Sequence, residues 1–357
     1  MSAQLPFDSA GTVRAGEELD AAAVTAWLRA QGIALQGQPR VTQYAGGASN
    51  WTYRLQYENR DLILRRPPAG TKARSAHDMK REFTVQQALR PVFPCVANMV
   101  ALCSEPAVIG SEFYVMDRIA GMIPRKNLPP GVVLSPEQTR QLCLSMVDKL
   151  IELHQVDVQA AGLQHLGKGA GYVRRQVEGW CERWQRAATW NVLSGRRVMH
   201  WLRQNMPEDV ASCVIHNDWR LDNLVFDAQQ ASRVIGVLDW EMATLGDPLM
   251  ELGCVIAYWL QADDDRFILS MRRQPSHLPG MLRRREIVAY YLERTGLQPE
   301  NWVFYEVFGL FRLAAIIQQI YYRYHHRQTR NPAFARFWLL SNYLVLRAAR
   351  TIRRGPL

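Results

Sequence analysis

The stretch Val214-Ile215-His216-Asn217-Asp218-Trp219-Arg220-Leu221-Asp222-Asn223-Leu224-Val225-Phe226 decides how the chain is read. Asp239, within Val237-Leu238-Asp239-Trp240-Glu241, follows Asn223 by 16 positions. The pattern is His-x-Asp, four residues, Asn, then an apolar run that ends in Asp. Phosphoryl transfer needs these parts: a carboxylate that meets a substrate hydroxyl, and an amide oxygen and second carboxylate that hold a hard cation against phosphates. The apolar runs predict short strands at Cys213–His216 and Val234–Leu238, so that a loop and a hairpin bring Asn223 to Asp239. His216 taken alone reads as a buried structural histidine. A chance match at Asp218, Asn223 and Asp239 together is a poor explanation.

Before this stretch the chain mixes strands and helices. Asp20 is suited to cap a helix running to about Gln31, and strands are expected at Val41–Tyr44, Thr52–Tyr57 and Asp61–Leu64, with Glu58-Asn59 as a turn. A helix from about His77 to Leu89 is stopped by Pro91, and Val100–Leu102 and Phe113–Ile119 are further strands. After Gly121 long helices take over. Ser135-Pro136-Glu137 is a strong start, a serine cap followed by proline at the first helical position. Further helices are expected at Tyr172–Ala187, Val192–Gln204, Leu249–Leu260, Arg284–Leu292, Trp302–Tyr324 and Ala333–Arg353. The expected class is α+β and bilobal: a small β-rich lobe over residues 1–118 and a large, mainly helical lobe over 119–357, joined at Arg118–Gly121.

Composition sets bounds on this reading. With 357 residues, 48% of them hydrophobic, and 11 Trp, the chain can bury a large core and is not disordered. No apolar run in the sequence approaches the ~20 residues of a membrane span, and the start lacks a signal-peptide pattern. The six cysteines form no Cys-x-x-Cys pair and read as reduced core thiols of a cytoplasmic protein, with no zinc site or disulfide framework. The net charge of +10 is concentrated: residues 271–357 hold 15 Arg and 4 Glu without Lys or Asp, a balance of +11. Such a segment is either a solvated surface or a seat for anions. No zinc-finger, RNA-recognition or basic-zipper pattern accompanies it, so nucleic acid is not an expected partner. The Trp180, Trp184, Trp190 and Trp201 series reads as helix packing, and His325-His326 as surface. Asp247-Pro248 reads as a helix cap.

The chain resembles the aminoglycoside phosphotransferase and choline kinase superfamily, a protein-kinase-like group, over about Val41 to Tyr258. It looks closest to the subfamily associated with acyl-CoA dehydrogenases. Besides the two motifs above, the marks are Leu62-Ile63-Leu64-Arg65-Arg66-Pro67-Pro68, Val108-Ile109-Gly110-Ser111-Glu112-Phe113-Tyr114-Val115-Met116-Asp117-Arg118, and Gly171-Tyr172 leading into Arg174-Arg175-Gln176. The resemblance implies that Asp218 is the catalytic carboxylate, that His216 anchors its loop, and that Asn223 and Asp239 bind Mg²⁺. Glu241 would stand beside the metal and Asp247 would brace the loop. On the nucleotide side it implies Gly46, Gly47, Ser49 and Asn50 as a turn over the phosphates, and Arg65, paired with Glu82, as the phosphate-binding cation. Met116 and Arg118, in the hinge Val115–Arg118, would contact adenine. Two departures stand out: Arg65 where many relatives use Lys, and His-Asn-Asp where most have His-Gly-Asp; Asn tolerates the left-handed backbone this turn asks for.

The activity so implied is a small-molecule kinase that uses ATP or GTP. The basic C-terminal segment favours an anionic acceptor such as a hydroxyacyl-CoA over a cationic aminoglycoside or other amino-alcohol. A nucleotide-binding regulatory module without turnover is the alternative from another class. The sequence leaves the oligomeric state open and gives no sign of a membrane partner.

Overall fold

Asp20 accepts the Ala23 N–H at 2.9 Å and opens the first helix, α1 (Ala21–Ala30). The computed structural model describes residues 10–44, 50–68 and 78–355. Five antiparallel strands follow α1: β1 (Arg40–Gln43), β2 (Trp51–Gln56), β3 (Asp61–Arg66), β4 (Met99–Cys103) and β5 (Phe113–Asp117), in the order β1-β2-β3-β5-β4. Helix α2 (Met79–Leu89), capped by Asp78, lies between β3 and β4 in the chain. The two-residue period of a strand sorts β3 cleanly. Leu62 and Leu64 join Val24, Leu28, Tyr53 and Val115 in a core under α1. Ile63 packs on the opposite face with Tyr44, Met79, Tyr114 and Met116. Arg65 shares that second face and therefore points towards α2, while Arg66 turns back to the Glu18 and Ile109 carbonyls.

The larger, mainly helical part begins with α3 (Pro136–His154), whose Ser135 and Gln138 form a capping box. Helices α4 (Tyr172–Arg186) and α5 (Arg196–Gln204) follow, then two hairpin-like pairs. Strand β6 (Cys213–Ile215) pairs with β9 (Thr244–Gly246), and β7 (Leu224–Phe226) with β8 (Val234–Val237). Helices α6 (Pro248–Tyr258), α7 (Arg266–Ser270), α8 (Arg284–Thr295), α9 (Trp302–His325) and α10 (Phe337–Arg354) complete the chain. The fold is the α+β, kinase-like arrangement expected.

Several elements differ from their expected form. Helix α5 starts at Arg196 rather than Val192, because Gly195 takes a left-handed φ of 65°. Helix α10 starts at Phe337, after a short 3-10 turn over Pro332–Phe334 capped by Asn331. Trp190 is 87% exposed and takes no part in the helix packing that holds Trp180 and Trp184. Helix α9, with 24 residues, is long and apolar enough by length and composition to cross a membrane, against the expectation that no such run exists; 78% of its apolar stretch is buried inside the protein. It is the spine of the large core. A Cβ at Gly309 would lie 2.1 Å from the Gly253 carbonyl oxygen, so α9 and α6 cross backbone to backbone.

The connector after β5 is fixed just as tightly. Met122 and Phe226 exchange backbone hydrogen bonds of 2.7 Å, and a Cβ at Gly121 would sit 2.3 Å from the Phe226 oxygen. The strand that carries Asn223 forward is thus tied to the segment leaving the sheet. All six cysteines are buried and unbridged.

Candidate active site

Strand β6 delivers the loop 216–223 and β8 delivers Asp239. Asn217 and Asp239 both have φ of 67°, the left-handed region that favours Gly or Asn. His216 is fully buried. Its Nε2 lies 2.8 Å from the Leu238 carbonyl, and its Nδ1 accepts the Asp218 N–H at 3.3 Å. A carbonyl only accepts, so Nε2 carries the proton. One imidazole therefore ties the Asp218 loop to the residue before Asp239.

Asp218 and Asn223 meet directly. The Asn223 amide nitrogen donates to the Asp218 carbonyl at 2.8 Å and to its Oδ2 at 2.9 Å. This leaves the amide oxygen of Asn223 as its remaining polar atom. Arg220 lies 3.3 Å from Asp218 Oδ2 and 3.2 Å from Asp222 Oδ1, with its guanidinium 5.0 Å from the Tyr258 ring centre.

Across the cleft Arg65 is the bridge between lobes. Its guanidinium is 3.0 Å from Asp239 Oδ1 and 3.5 Å from Glu82 Oε2. Burial alone would lift the Asp239 carboxyl, but the charge and hydrogen bond of Arg65 hold it below its usual range. Burial dominates at Glu82 and raises its carboxyl, against the pull of Arg65 and Tyr114. Asn50 donates to Glu82 at 3.0 Å and to Glu241 at 3.3 Å, and Tyr114 donates to Glu82 at 2.8 Å. Arg81 donates to the Glu241 carbonyl at 2.9 Å, so α2 is anchored to the Asp239 turn through two residues.

Not every expected site residue falls where it was placed. Gly46, Gly47 and Ser49 lie outside the described residues. The Asp117 N–H bonds to the Asn98 carbonyl and the Arg118 N–H to the Asp61 carbonyl, at 2.9 and 3.0 Å. The Arg118 side chain is held by Tyr44 and Asp61. The Arg118 backbone N–H is therefore taken, and Met116 is buried within the sheet. Asp247 caps α6 through Leu249 and Met250 and takes the Val210 N–H at 2.7 Å. It secures the start of α6, not the Asp239 turn.

Two residues of the site escaped the sequence reading. Glu251 on α6 accepts the His216 N–H at 3.1 Å and the Asn217 N–H, and meets His154 Nε2 at 2.8 Å. Arg312 on α9 donates to the Asn217 carbonyl at 2.9 Å. Their signal was available: each is a charged residue inside an otherwise apolar helical run, which is costly unless it is paired.

This site has the layout of a kinase-like phosphotransferase. Residues 40–287 match the model of the phosphotransferase enzyme family, and the chain belongs to that family. Among curated proteins it is similar to acyl-CoA dehydrogenase family member 11 of Rattus norvegicus, 37% identical over 80% of this chain and 36% of that protein. It is also similar to acyl-CoA dehydrogenase family member 10 of Mus musculus, 35% identical over 80% of this chain and 27% of that protein. The chain thus spans only about a third of the curated relatives it matches. Among solved structures, a Ralstonia eutropha protein assigned to the aminoglycoside phosphotransferases has a TM-score of 0.80 at 29% identity, covering 95% of this chain and all of that one. The aminoglycoside phosphotransferase APH(4)-Ia, in a complex with AMP-PNP and hygromycin B, shares the fold with a TM-score of 0.57 at 13% identity, covering 92% and 98%.

The donor set suits a hard divalent cation. Asn223 and Asp239 offer only oxygen, and Asn223 has its nitrogen already spent on Asp218. Arg65 keeps a buried Nε without a hydrogen-bond partner among the described residues.

Proposed function

We propose that the chain is a small-molecule kinase that moves the γ-phosphate of ATP or GTP to a hydroxyl of an anionic acceptor, such as a hydroxyacyl-CoA. The observation that carries this reading is the pinned pair of Asp218 and Asn223 facing an Asp239 held by the Arg65–Glu82 bridge. The acceptor oxygen forms a bond to the γ-phosphorus as the bond to the leaving diphosphate breaks, and its proton passes to Asp218. Asn223 holds Asp218 in place for that proton. Arg65 shifts from Asp239 to the nucleotide phosphates, while Glu82 and Tyr114 keep it aimed. Mg²⁺, held by Asn223 and Asp239, would supply neutralisation of the phosphate charge. With the Arg118 backbone N–H taken by Asp61, the linker from Ile119, whose side chain packs over Gly236, is the next backbone that meets the base.

A binding-only module has no need of a carboxylate pinned at Asp218. For the acceptor, charge argues against a cation. Asp218 and Asp222 are both paired with Arg220, and Arg312 is buried beside Asn217. The family association with acyl-CoA dehydrogenases supports an acyl-CoA, by analogy only. The test is a coupled ADP-release screen with Mg·ATP and Mg·GTP over hydroxyacyl-CoAs, hydroxy acids, sugars and aminoglycosides. Acceptor-dependent ADP release with an anionic compound is expected, with a KM that climbs with ionic strength. A best acceptor that is a cation, or no acceptor-dependent release at all, would sink the reading.

A further inference from the structure

The segment 271–279 crosses from α7 towards α8 as a strap against the Asp218 loop. Two buried side chains fasten it. Gln274 accepts the Leu221 N–H at 2.9 Å and donates to the Tyr258 carbonyl at 3.2 Å. Ser276 donates to the Leu260 carbonyl at 2.9 Å and accepts the Leu260 N–H at 3.1 Å. The strap is therefore registered on Leu221, three residues from Asp218, and on the end of the helix whose Tyr258 faces Arg220.

What the strap presents is cationic and incompletely paired. Arg272 donates to Asn127, in the segment after the connector, at 2.8 Å. Among the buried side-chain atoms of the described residues that have no hydrogen-bond partner, two belong to the strap, Arg272 Nε and His277 Nδ1. Orphaned buried polar atoms are scarce in folded proteins, and each calls for a partner such as a water, an ion or a ligand. Asp222 is already met by Arg220, and Arg272 has no carboxylate partner among the described residues. Arg273 is exposed, Arg323 lies near the far end of α9, eleven residues beyond Arg312 and so about 17 Å along the helix, and Arg327 follows the helix end.

We infer that Arg272 and His277 form an oxyanion subsite on the acceptor side of the cleft, which takes a carboxylate or phosphate carried by the acceptor some distance from its reacting hydroxyl. The inference rests on the proposed kinase reading for the identity of the acceptor side, but the binding of an anion here does not depend on turnover. A guanidinium offers the paired donors that suit a carboxylate or phosphate, and the imidazole supplies a second direction. Gln274 and Ser276 hold both at a fixed distance from Leu221, so the subsite would set how far the charged group stands from the hydroxyl.

The test uses the full chain, labelled with ¹³C at histidine Cε1 and saturated with Mg·ADP. Of the eight histidines, His277 is assigned by the signal lost in His277→Asn. Inorganic phosphate, acetate and choline chloride are titrated separately. Phosphate or acetate should move the His277 signal saturably, and the stronger of the two identifies the group preferred; choline should leave it in place. Arg272→Gln should weaken that response about tenfold or more, the scale of one charge-assisted hydrogen bond, while Arg273→Gln leaves it unchanged. A signal indifferent to both anions, or an equal response in Arg272→Gln, overturns the subsite. If an acceptor releases ADP while His277 stays silent, the subsite alone has failed; if His277 responds and no acceptor is found, the kinase reading alone has failed.

Discussion

Replacing Glu251 by Gln tests how the Asp218 loop is held. Three groups converge on this buried carboxylate: the His216 N–H, the Asn217 N–H and His154 Nε2. Gln fills the same volume but offers one acceptor oxygen, and its NH₂ must face a donor. At least one charge-assisted hydrogen bond is lost and one buried donor is stranded, which together cost about 3–5 kcal/mol. The pH dependence carries a sign. Burial would raise the Glu251 carboxyl, but His154, His216 and the Asn217 N–H prevail and hold it below its usual range. A depressed carboxyl stabilises the fold above its unfolded value, and that contribution disappears as pH falls through the folded one. The difference between parent and variant in urea unfolding should therefore be flat near neutrality and shrink below about pH 4.3. Nucleotide affinity should stay near normal, while turnover falls because the loop shifts. Unfolding free energies that agree within about 0.5 kcal/mol, the scale of an ordinary surface substitution, would refute the idea that Glu251 holds this loop.

Three further outcomes are expected. Asp218→Asn should keep fold and nucleotide affinity in calorimetry but lose ~10²-fold or more in turnover, the scale of a missing acid–base group; near-normal transfer would remove Asp218 from its role. Asp239→Ala should abolish the Mg²⁺ dependence of nucleotide binding, because a hard cation loses its carboxylate; an unchanged metal titration would contradict the assignment. Gly309→Ala should lower stability by about 1–3 kcal/mol or more, the range of overpacked cores, since the added Cβ meets backbone; a melting temperature equal to the parent would show that the α6–α9 crossing can open.

Much of this was legible in the residues because local chemistry and tertiary role coincide. Asp20 and Ser135 announce helices through caps that work within a turn, and the apolar run Leu62-Ile63-Leu64 marks β3 as a strand buried on both faces. Asp218, Asn223 and Asp239 carry chemistry that few other arrangements explain. What the sequence left hidden depends on distant partners. Nothing in Thr244–Gly246 marks a strand until β6 lies beside it. The Arg118 N–H is an open hinge donor on paper and is closed only by pairing with the Asp61 carbonyl. Glu251 and Arg312 went unread because the backbone groups they serve lie 34 and 95 positions away.

The crossing of α6 and α9 has a consequence for how this fold diversifies. Glu251 pulls on the N–H of Asn217 and Arg312 on its carbonyl, so both peptide planes around that residue are oriented by core helices. The helices themselves meet at Gly253 and Gly309, where no side chain separates them. The loop that handles the phosphate thus takes its coordinates from the interior, as a needle takes its position from the gear behind it. The strap 271–279 touches that loop through the Leu221 N–H, and its Arg272 and His277 play no part in setting the crossing. New acceptor preferences are open to exchange at those positions without disturbing the gear, whereas no residue larger than glycine fits where it is mounted.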